Sequence, residues 1–392
     1  MTQPASRAKT PDESMNDPAN LPPVRSDTTI PGLQYFRAVA ASLVVFYHAA
    51  NAFGPKAYFP VRSWETIFLF GHSGVELFFV LSGFIICHIH WDRIGRQGEV
   101  GNYIRKRLVR IYPPVMIVVL AWAALRWAGH TPLTPIEWLD SLTLFPFDFQ
   151  YAPPVLWTLS FEMAFYAVFL LAFINRRLFI TALALWGISG YVICEFTVIG
   201  HQEAVNPLLG SAYTFLFGFG VFAFFAVRRL PPLSVVVRFT LAIGAVALFA
   251  LAALLDVKLQ LSGTSGLALE IASRHLSPLF GIAGVMALIV LADPRVRLSG
   301  AAHRTMFFLG NASYAIYLWH LFPQRLLVRG MARFGLDGVE LRWLAVALFV
   351  VSGIALGSIV YILIEKPMLK RINVFFAGRR SHRTDDRPHL RH

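Results

Sequence analysis

The chain has 392 residues, of which 56% are hydrophobic and only 15% are charged, and its mean hydropathy is +0.58. About a quarter of a water-soluble domain is charged, so this composition excludes an ordinary globular enzyme and indicates a membrane protein. The net charge is +13, but the basic residues lie between apolar blocks and in the tails, which argues against nucleic acid as a partner. The cysteines, Cys87 and Cys194, lie inside apolar blocks, so we predict neither disulfides nor a metal site.

Both ends of the chain differ from the apolar middle. Residues 1–30 are polar and rich in proline, without the apolar stretch of a signal peptide, which predicts a disordered tail. Residues 369–392 are basic and too poor in apolar residues to fold alone, which predicts a cytoplasmic tail. Residues 31–368 are predicted to form one membrane-embedded domain.

Apolar blocks of about 18 to 24 residues, long enough for a helix to cross ~30 Å of hydrocarbon, follow one another through this domain. They predict an all-α, polytopic membrane protein with about ten transmembrane helices. The blocks lie near residues 36–53, 67–90, 111–128, 157–174, 178–199, 208–227, 239–256, 276–293, 306–328 and 342–364.

The distribution of basic residues predicts the orientation. With both termini in the cytoplasm, most lysines and arginines fall on the inner side, and the outer loop 129–156 contains none. The positive-inside rule therefore favours cytoplasmic termini in a multi-pass protein of the inner (plasma) membrane, surrounded by membrane lipids.

The first block carries two ionisable residues, Arg37 and His48, in GLQYFRAVAASLVVFYHA. Eleven residues advance an α-helix by ~16 Å and complete three turns plus about 20°, so both side chains share one face. Taken singly, Arg37 fits an interfacial anchor, and His48 fits half of an interhelical hydrogen bond. Their shared face favours a joint role.

Three further blocks carry ionisable residues that are expensive to bury in a membrane. Once the orientation is set, Glu76, Glu162 and His320 reach a depth similar to that of His48, beyond the bilayer midplane. An imidazole beside carboxylates is suited to deprotonating a hydroxyl group. These four residues are the candidate catalytic groups.

Tyrosines share the faces of these candidates. Tyr166 lies one helical turn from Glu162, while Tyr314 and Tyr317 precede His320 at spacings of three residues. We predict that the three tyrosines bind substrate.

Cations collect at the inner ends of the predicted helices. Arg107 and Arg110, in YIRKRLVRIYPP, lie near the level of Arg37. A basic run beside a membrane is usually a topology signal, but as a cluster with Arg37 it fits a multiply charged phosphate ligand. Glu365, in IEKPM, is a candidate partner for one of these arginines.

The layout fits two classes of function. A basic inner side and a polar outer half describe group transfer from a phosphorylated cytoplasmic donor to an acceptor on the outer side. A proton-coupled transporter of a saccharide or lipid-linked saccharide would use the same intramembrane groups. The sequence contains no P-loop, dinucleotide-binding fingerprint or HExxH motif, which argues against ATP-driven pumping and metalloprotease chemistry.

Six segments in order resemble the blocks of the acyltransferase 3 family of integral membrane acyltransferases. They are LQYFRAVAASLVVFYH, GVELFFVLSGFII, KRLVRIYP, LWTLSFEMAFY, LGNASYAIYLWH and EKP, and they cover about residues 32–368. The resemblance implies transfer of an acyl group, commonly acetyl, from acyl-CoA to a hydroxyl of a cell-surface or exported carbohydrate such as exopolysaccharide or O-antigen. Acetyl-CoA or another acyl-CoA is then a donor substrate, and no permanently bound cofactor is expected.

The resemblance also implies site roles. Arg37 and His48 match the family's first-helix pair, and Arg107 and Arg110 match its donor region. Glu76 stands where many members have Asp. His48 is then a general base or a transient acyl acceptor.

Other roles stay open from the sequence. Glu162 orients either His48 or the acceptor, and His320 either stabilises the oxyanion or binds the sugar. The identity of the acceptor, the acyl group and the oligomeric state are also open.

Overall fold

The computed structural model describes residues 30–52, 64–96, 98–199, 206–261, 267–336 and 341–385. None of these residues is in a β-strand, which confirms the predicted all-α class. Their α-helices are α1 Pro31–Asn51, α2 Ser73–His90, α3 Glu99–Ala128, α4 Pro135–Thr143, α5 Trp157–Ile174, α6 Arg176–Ile199, α7 Thr214–Arg229, α8 Val235–Leu261, α9 Leu267–Leu291, α10 Gly300–Trp319, α11 Leu321–Arg333, α12 Arg342–Val360 and α13 Lys366–Asp385. The predicted N-terminal tail lies outside the described residues, apart from Ile30.

Within the described part of the chain, six helical segments are long and apolar enough to cross a membrane. They are Thr66–Arg93, Glu99–Ala128, Pro154–Ile174, Arg176–Ile193, Val235–Leu261 and Arg342–Phe376. The protein is therefore a helical, multi-pass membrane protein. The expected total of about ten crossings and the cytoplasmic location of both termini stay predictions.

Three helix pairs form the most extensive contacts of the domain: α1 with α10, α2 with α7, and α8 with α9. The backbones of α2 and α7 touch, because a Cβ atom on Gly83 would lie 2.1 Å from the carbonyl oxygen of Phe217, and one on Gly220 would lie 1.9 Å from that of Val80. Small residues allow such close approach between membrane helices. Glycine at both positions therefore fixes how α2 meets α7.

The ninth predicted block differs from expectation. The sequence predicts one helix near residues 306–328, whereas α10 ends at Trp319 and α11 begins at Leu321. Pro323 has no backbone N–H to donate to the carbonyl of Trp319, which interrupts the helical hydrogen-bond ladder here. As a result, His320 lies at the break between two helices.

A short structured loop connects α4 to α5. The buried carboxylate of Asp140 accepts backbone N–H bonds from Phe147, Asp148 and Gln150, at 2.9, 3.3 and 2.7 Å. Three bonds to one carboxylate fix the loop that leads into α5, the helix that carries Thr158 and the predicted site residues after it.

The C-terminal region is more regular than the sequence indicates. A π-helical turn, Tyr361–Glu365, connects α12 directly to α13, so the predicted tail is helical as far as Asp385. A helix that extends an existing membrane helix does not have to nucleate on its own. Residues 386–392 lie outside the described residues.

Candidate active site

A cavity of about 140 Å³ lies among α1, α2, α3, α5 and α10. Much of its remaining wall is apolar and includes Phe79, Leu81 and Ile85. The predicted site residues that line it are Arg37, Arg107, Arg110, Glu162, Tyr166, Tyr314 and Tyr317. The cavity therefore unites residues that the sequence placed on four separate helices.

One part of the cavity is cationic. Arg37 donates from Nε to Ser313 Oγ at 3.1 Å, and Arg110 Nη1 lies 3.3 Å from Glu365 Oε1. The Arg110 guanidinium also lies 5.0 Å from the ring centroid of Tyr314. The predicted pairing of Glu365 with a cavity arginine is confirmed, and it holds Arg110 at the wall.

The third arginine of the cavity, Arg107, is held differently. Its Nη2 lies 3.2 Å from Nε2 of His90, which is fully buried. Its guanidinium lies 5.9 Å from the ring centroid of Tyr103 and 5.5 Å from that of Tyr166. The direct contacts of Arg107 are therefore aromatic and neutral, whereas Arg110 has a carboxylate partner.

The carboxylate of Glu162 forms hydrogen bonds with two hydroxyl groups. It accepts hydrogen bonds from the hydroxyl of Tyr166, one turn away, and from Ser82 Oγ of α2 at 3.4 Å. No bond between Glu162 and His48 is present among the described residues. Its two predicted roles, orientation of His48 and orientation of the acceptor, stay predictions.

His48 meets His320 next to the cavity. Their ring centroids lie 5.0 Å apart, and His320 is fully buried at the break between α10 and α11. His320 Nδ1 donates to the carbonyl oxygen of Tyr317 at 2.8 Å. Because a carbonyl only accepts, the proton of the neutral ring is on Nδ1 and Nε2 keeps its lone pair. This Nε2 has no hydrogen-bond partner among the described residues.

Tyr317 lies between the cavity and the histidine pair. It lines the cavity, and its ring centroid is 6.1 Å from that of His320 and 6.0 Å from that of Phe78. Its hydroxyl donates to the carbonyl oxygen of Val155 at 2.9 Å and lies 2.7 Å from Thr158 Oγ1. Tyr317 is therefore held in place by its hydroxyl and contacts both the cavity and His320.

Glu76 belongs to a different cluster. His72 Nδ1 lies 3.1 Å from Glu76 Oε1, and His72 Nε2 lies 3.2 Å from Asp256 Oδ2. Ser277 Oγ donates to Glu76 Oε1 at 3.3 Å. An imidazole whose two nitrogens both bond carboxylates is doubly protonated. His72 is therefore an imidazolium between two carboxylates. Glu76 does not line the cavity, contrary to its predicted place beside His48.

Some site residues were not predicted. Thr158 precedes Glu162 by four residues and Ser313 precedes Tyr317 by four, so helical spacing puts each on a face already identified. That signal was available in the sequence. His90 has no comparable signal, because its contact with Arg107 joins two different helices.

Comparison with known proteins identifies the family. Residues 30–362 match the family profile described as Acyltransferase domain. The chain is similar to the exopolysaccharide production protein ExoZ of Rhizobium meliloti (strain 1021), with 31% identity over 322 residues that cover 78% of this chain and 91% of that protein. It is also similar to nodulation protein 10 of Rhizobium leguminosarum bv. viciae, with 26% identity over 371 residues, 85% of this chain and 92% of that protein.

No solved structure matches the chain significantly. The family profile nevertheless spans most of the sequence, including every residue that lines the cavity. The order of motifs had predicted the same family. The chain therefore belongs to the acyltransferase 3 family and is an acyltransferase.

Proposed function

We propose that this acyltransferase moves an acyl group, most simply acetyl, from acyl-CoA at the cytoplasmic face to a hydroxyl of an exported or cell-surface carbohydrate. One observation carries the proposal: α10 leads from the arginine cluster to the histidine pair. Tyr314 lies beside Arg110, Tyr317 lines the cavity one turn further, and His320 contacts His48 one turn beyond. A donor held at the arginines thus extends toward the histidines.

Arg37, Arg107 and Arg110 bind the phosphate groups of the donor in this proposal. Guanidinium groups form paired, charge-assisted hydrogen bonds with phosphate oxygens. The apolar wall formed by residues such as Leu81 and Ile85 suits the uncharged arm that connects the phosphates of coenzyme A to its thioester.

His48 acts as the general base. The acceptor hydroxyl loses its proton to His48 as its oxygen bonds to the thioester carbonyl carbon, the carbon–sulfur bond breaks, and the proton passes to the leaving thiolate. His320 presents a lone pair at Nε2, so the neutral ring accepts a hydrogen bond and does not donate one there. This tautomer favours binding of a sugar hydroxyl over stabilisation of the oxyanion.

The alternative role of His48, as a transient acyl acceptor, makes a distinct product. Rapid denaturation in neutral detergent after incubation with radiolabelled acetyl-CoA, without acceptor, tests it, because acid would hydrolyse an acyl-imidazole. A general base leaves the protein unlabelled. Stoichiometric labelling of wild type that is absent from His48→Ala would show that His48 carries the acyl group and is not a general base.

The acceptor is a carbohydrate, either exopolysaccharide or a related glycan. Support comes from the similarity to a protein named for exopolysaccharide production, over 91% of that protein's length. The carboxylate of Glu162 and the histidine pair offer the hydroxyl-binding groups that a sugar needs.

The proposed topology has ten crossings of the inner membrane and cytoplasmic termini. Support comes from the basic segments between the apolar blocks and from the helices found at the predicted blocks, the ninth of which is divided between α10 and α11. Labelling of single cysteines placed in loop 129–156 and in the C-terminal region, with a reagent that does not cross the membrane, tests the sidedness. We expect labelling only of the loop in intact cells.

The activity is tested with purified protein in nanodiscs, radiolabelled acetyl-CoA and a crude cell-envelope glycan fraction. We expect wild type to label the glycan and His48→Ala to insert normally but transfer nothing. His88→Ala is the matched control, because His88 is exposed on α2 and does not line the cavity. Absence of transfer and of coenzyme A binding by wild type would refute the proposed donor, and normal transfer by His48→Ala would refute its role.

A further inference from the structure

His90 is a buried polar residue that the proposed chemistry does not use. It is the last residue of α2 and is fully buried, yet it does not line the cavity. Its Nε2 lies 3.2 Å from Nη2 of Arg107, which does line the cavity. His90 therefore lies outside the cavity and contacts a residue that lines it.

The protonation state of His90 follows from its partner. Arginine has five N–H donors and no acceptor, so the imidazole must accept at Nε2. The ring is then neutral, with its proton on Nδ1. Nδ1 has no hydrogen-bond partner among the described residues.

Aromatic rings complete the support of Arg107. Tyr103 and Tyr166 each place a ring within 6 Å of the guanidinium, and the Tyr103 ring packs edge-on against His90, with 5.0 Å between centroids. Tyr103 also donates to the carbonyl oxygen of Tyr166 at 3.1 Å, which ties α3 to α5. These contacts restrict the guanidinium without adding any negative charge.

The two neighbouring arginines thus differ in electrostatics. Glu365 holds Arg110 through a carboxylate and offsets its charge. His90 holds Arg107 through a neutral acceptor, which does not offset the positive charge as a bonded carboxylate would. A carboxylate in place of His90 would orient Arg107 equally well but would compete with that ligand.

Protein stability does not explain this arrangement. Nδ1 of His90 and Nε of Arg107 are both buried without a hydrogen-bond partner among the described residues. Unsatisfied buried polar atoms are costly, and those that persist in a native structure call for a functional explanation.

We propose that His90 is a positioning residue for the acyl donor: its neutral imidazole orients Arg107 for the donor's phosphate groups while leaving the arginine's charge uncompensated. This inference rests on the proposed function, since it requires a phosphorylated donor at Arg107. It adds the requirement that the side chain at position 90 be an uncharged hydrogen-bond acceptor.

Three substitutions separate orientation from charge. His90→Leu removes the acceptor, His90→Gln replaces it with a neutral one, and His90→Glu replaces it with an anionic one. His88→Leu is the matched control, because this exposed residue on the same helix packs on Phe84 and lies outside the cavity.

Initial rates in nanodiscs, with acetyl-CoA and glycan varied separately, provide the readout. The loss of a hydrogen bond to a charged group predicts roughly a tenfold rise in the KM for acetyl-CoA in His90→Leu. We expect kcat and the KM for glycan to stay unchanged. His90→Gln restores the donor KM, whereas His90→Glu raises it. In an Arg107→Ala background, His90→Leu has no additional effect.

The outcomes are distinguishable. If wild type neither transfers from acetyl-CoA nor binds coenzyme A, the proposed function and this inference both fail. If wild type does use it, an unchanged donor KM in His90→Leu, a fall in kcat alone, or full activity of His90→Glu overturns only the role of His90. Thermal unfolding identifies a variant that does not fold, and the comparison of Gln with Glu then decides the question.

Discussion

The imidazole of His48 on α1 lies 5.0 Å from that of His320 at the break between α10 and α11. His320 donates through Nδ1 to a backbone carbonyl and keeps an unbonded Nε2 among the described residues. The half-buried imidazole of His48 and the fully buried imidazole of His320 thus form a pair beside the arginine-lined cavity. His320 has helical backbone angles and its N–H bonds the carbonyl oxygen of Ile316, so α10 places the second imidazole.

Nε2 of His320 should be the functional atom of that residue. His320→Asn keeps a donor near the position of Nδ1 but has no atom at Nε2 to accept from a sugar hydroxyl, so we expect the KM for glycan to rise by roughly tenfold. His320→Gln, which places an amide near Nε2, should retain more activity. Rates of glycan acetylation measure both variants, with thermal unfolding as the folding control. Wild-type activity in His320→Asn would assign Nε2 no role.

The His72 cluster should stabilise the fold rather than take part in chemistry. His72→Ala leaves the buried carboxylates of Glu76 and Asp256 without their shared cation, at a cost of about 3–5 kcal/mol. We expect a lower unfolding temperature in detergent. Glu76→Gln should keep a kcat close to that of wild type. Loss of kcat in a normally stable Glu76→Gln would instead restore the catalytic role that the sequence indicates.

Gly83 should tolerate no side chain. A Cβ atom there would lie 2.1 Å from the carbonyl oxygen of Phe217, so Gly83→Ala must push α2 and α7 apart, at a cost of roughly 1–3 kcal/mol. Gly218→Ala is the matched control, since its Cβ has no atom within 4 Å. Thermal unfolding compares the two. Equal unfolding temperatures would show that the helices separate freely.

Arg110 should contribute to donor affinity. Arg110→Met removes a cavity cation and leaves Glu365 buried without its partner, so we expect a rise in the KM for acetyl-CoA of roughly tenfold or more. Arg126→Met is the control, because Arg126 is on the same helix but pairs with Glu137 outside the cavity, at 3.0 Å. Equal donor KM values for the two variants would argue against a donor site at Arg110.

Much of the local arrangement follows from the sequence. An α-helix has 3.6 residues per turn, so spacing alone puts Arg37 and His48 on one face, and Tyr166 beside Glu162. In the structure, Arg37 contacts Ser313 on α10, and His48 contacts His320 immediately after that helix. The apolar blocks likewise predict the helices, because length and hydropathy are properties of consecutive residues.

Contacts between helices were decided by the tertiary structure. His48 meets His320, Arg107 meets His90, and Glu76 meets Ser277 instead of the cavity. Nothing in the spacing along one helix specifies which face of another it will meet, since that depends on how small and large side chains pack across the whole domain. The sequence by itself determined the helices and the faces that carry ionisable groups, and only packing decided which of those groups share a site.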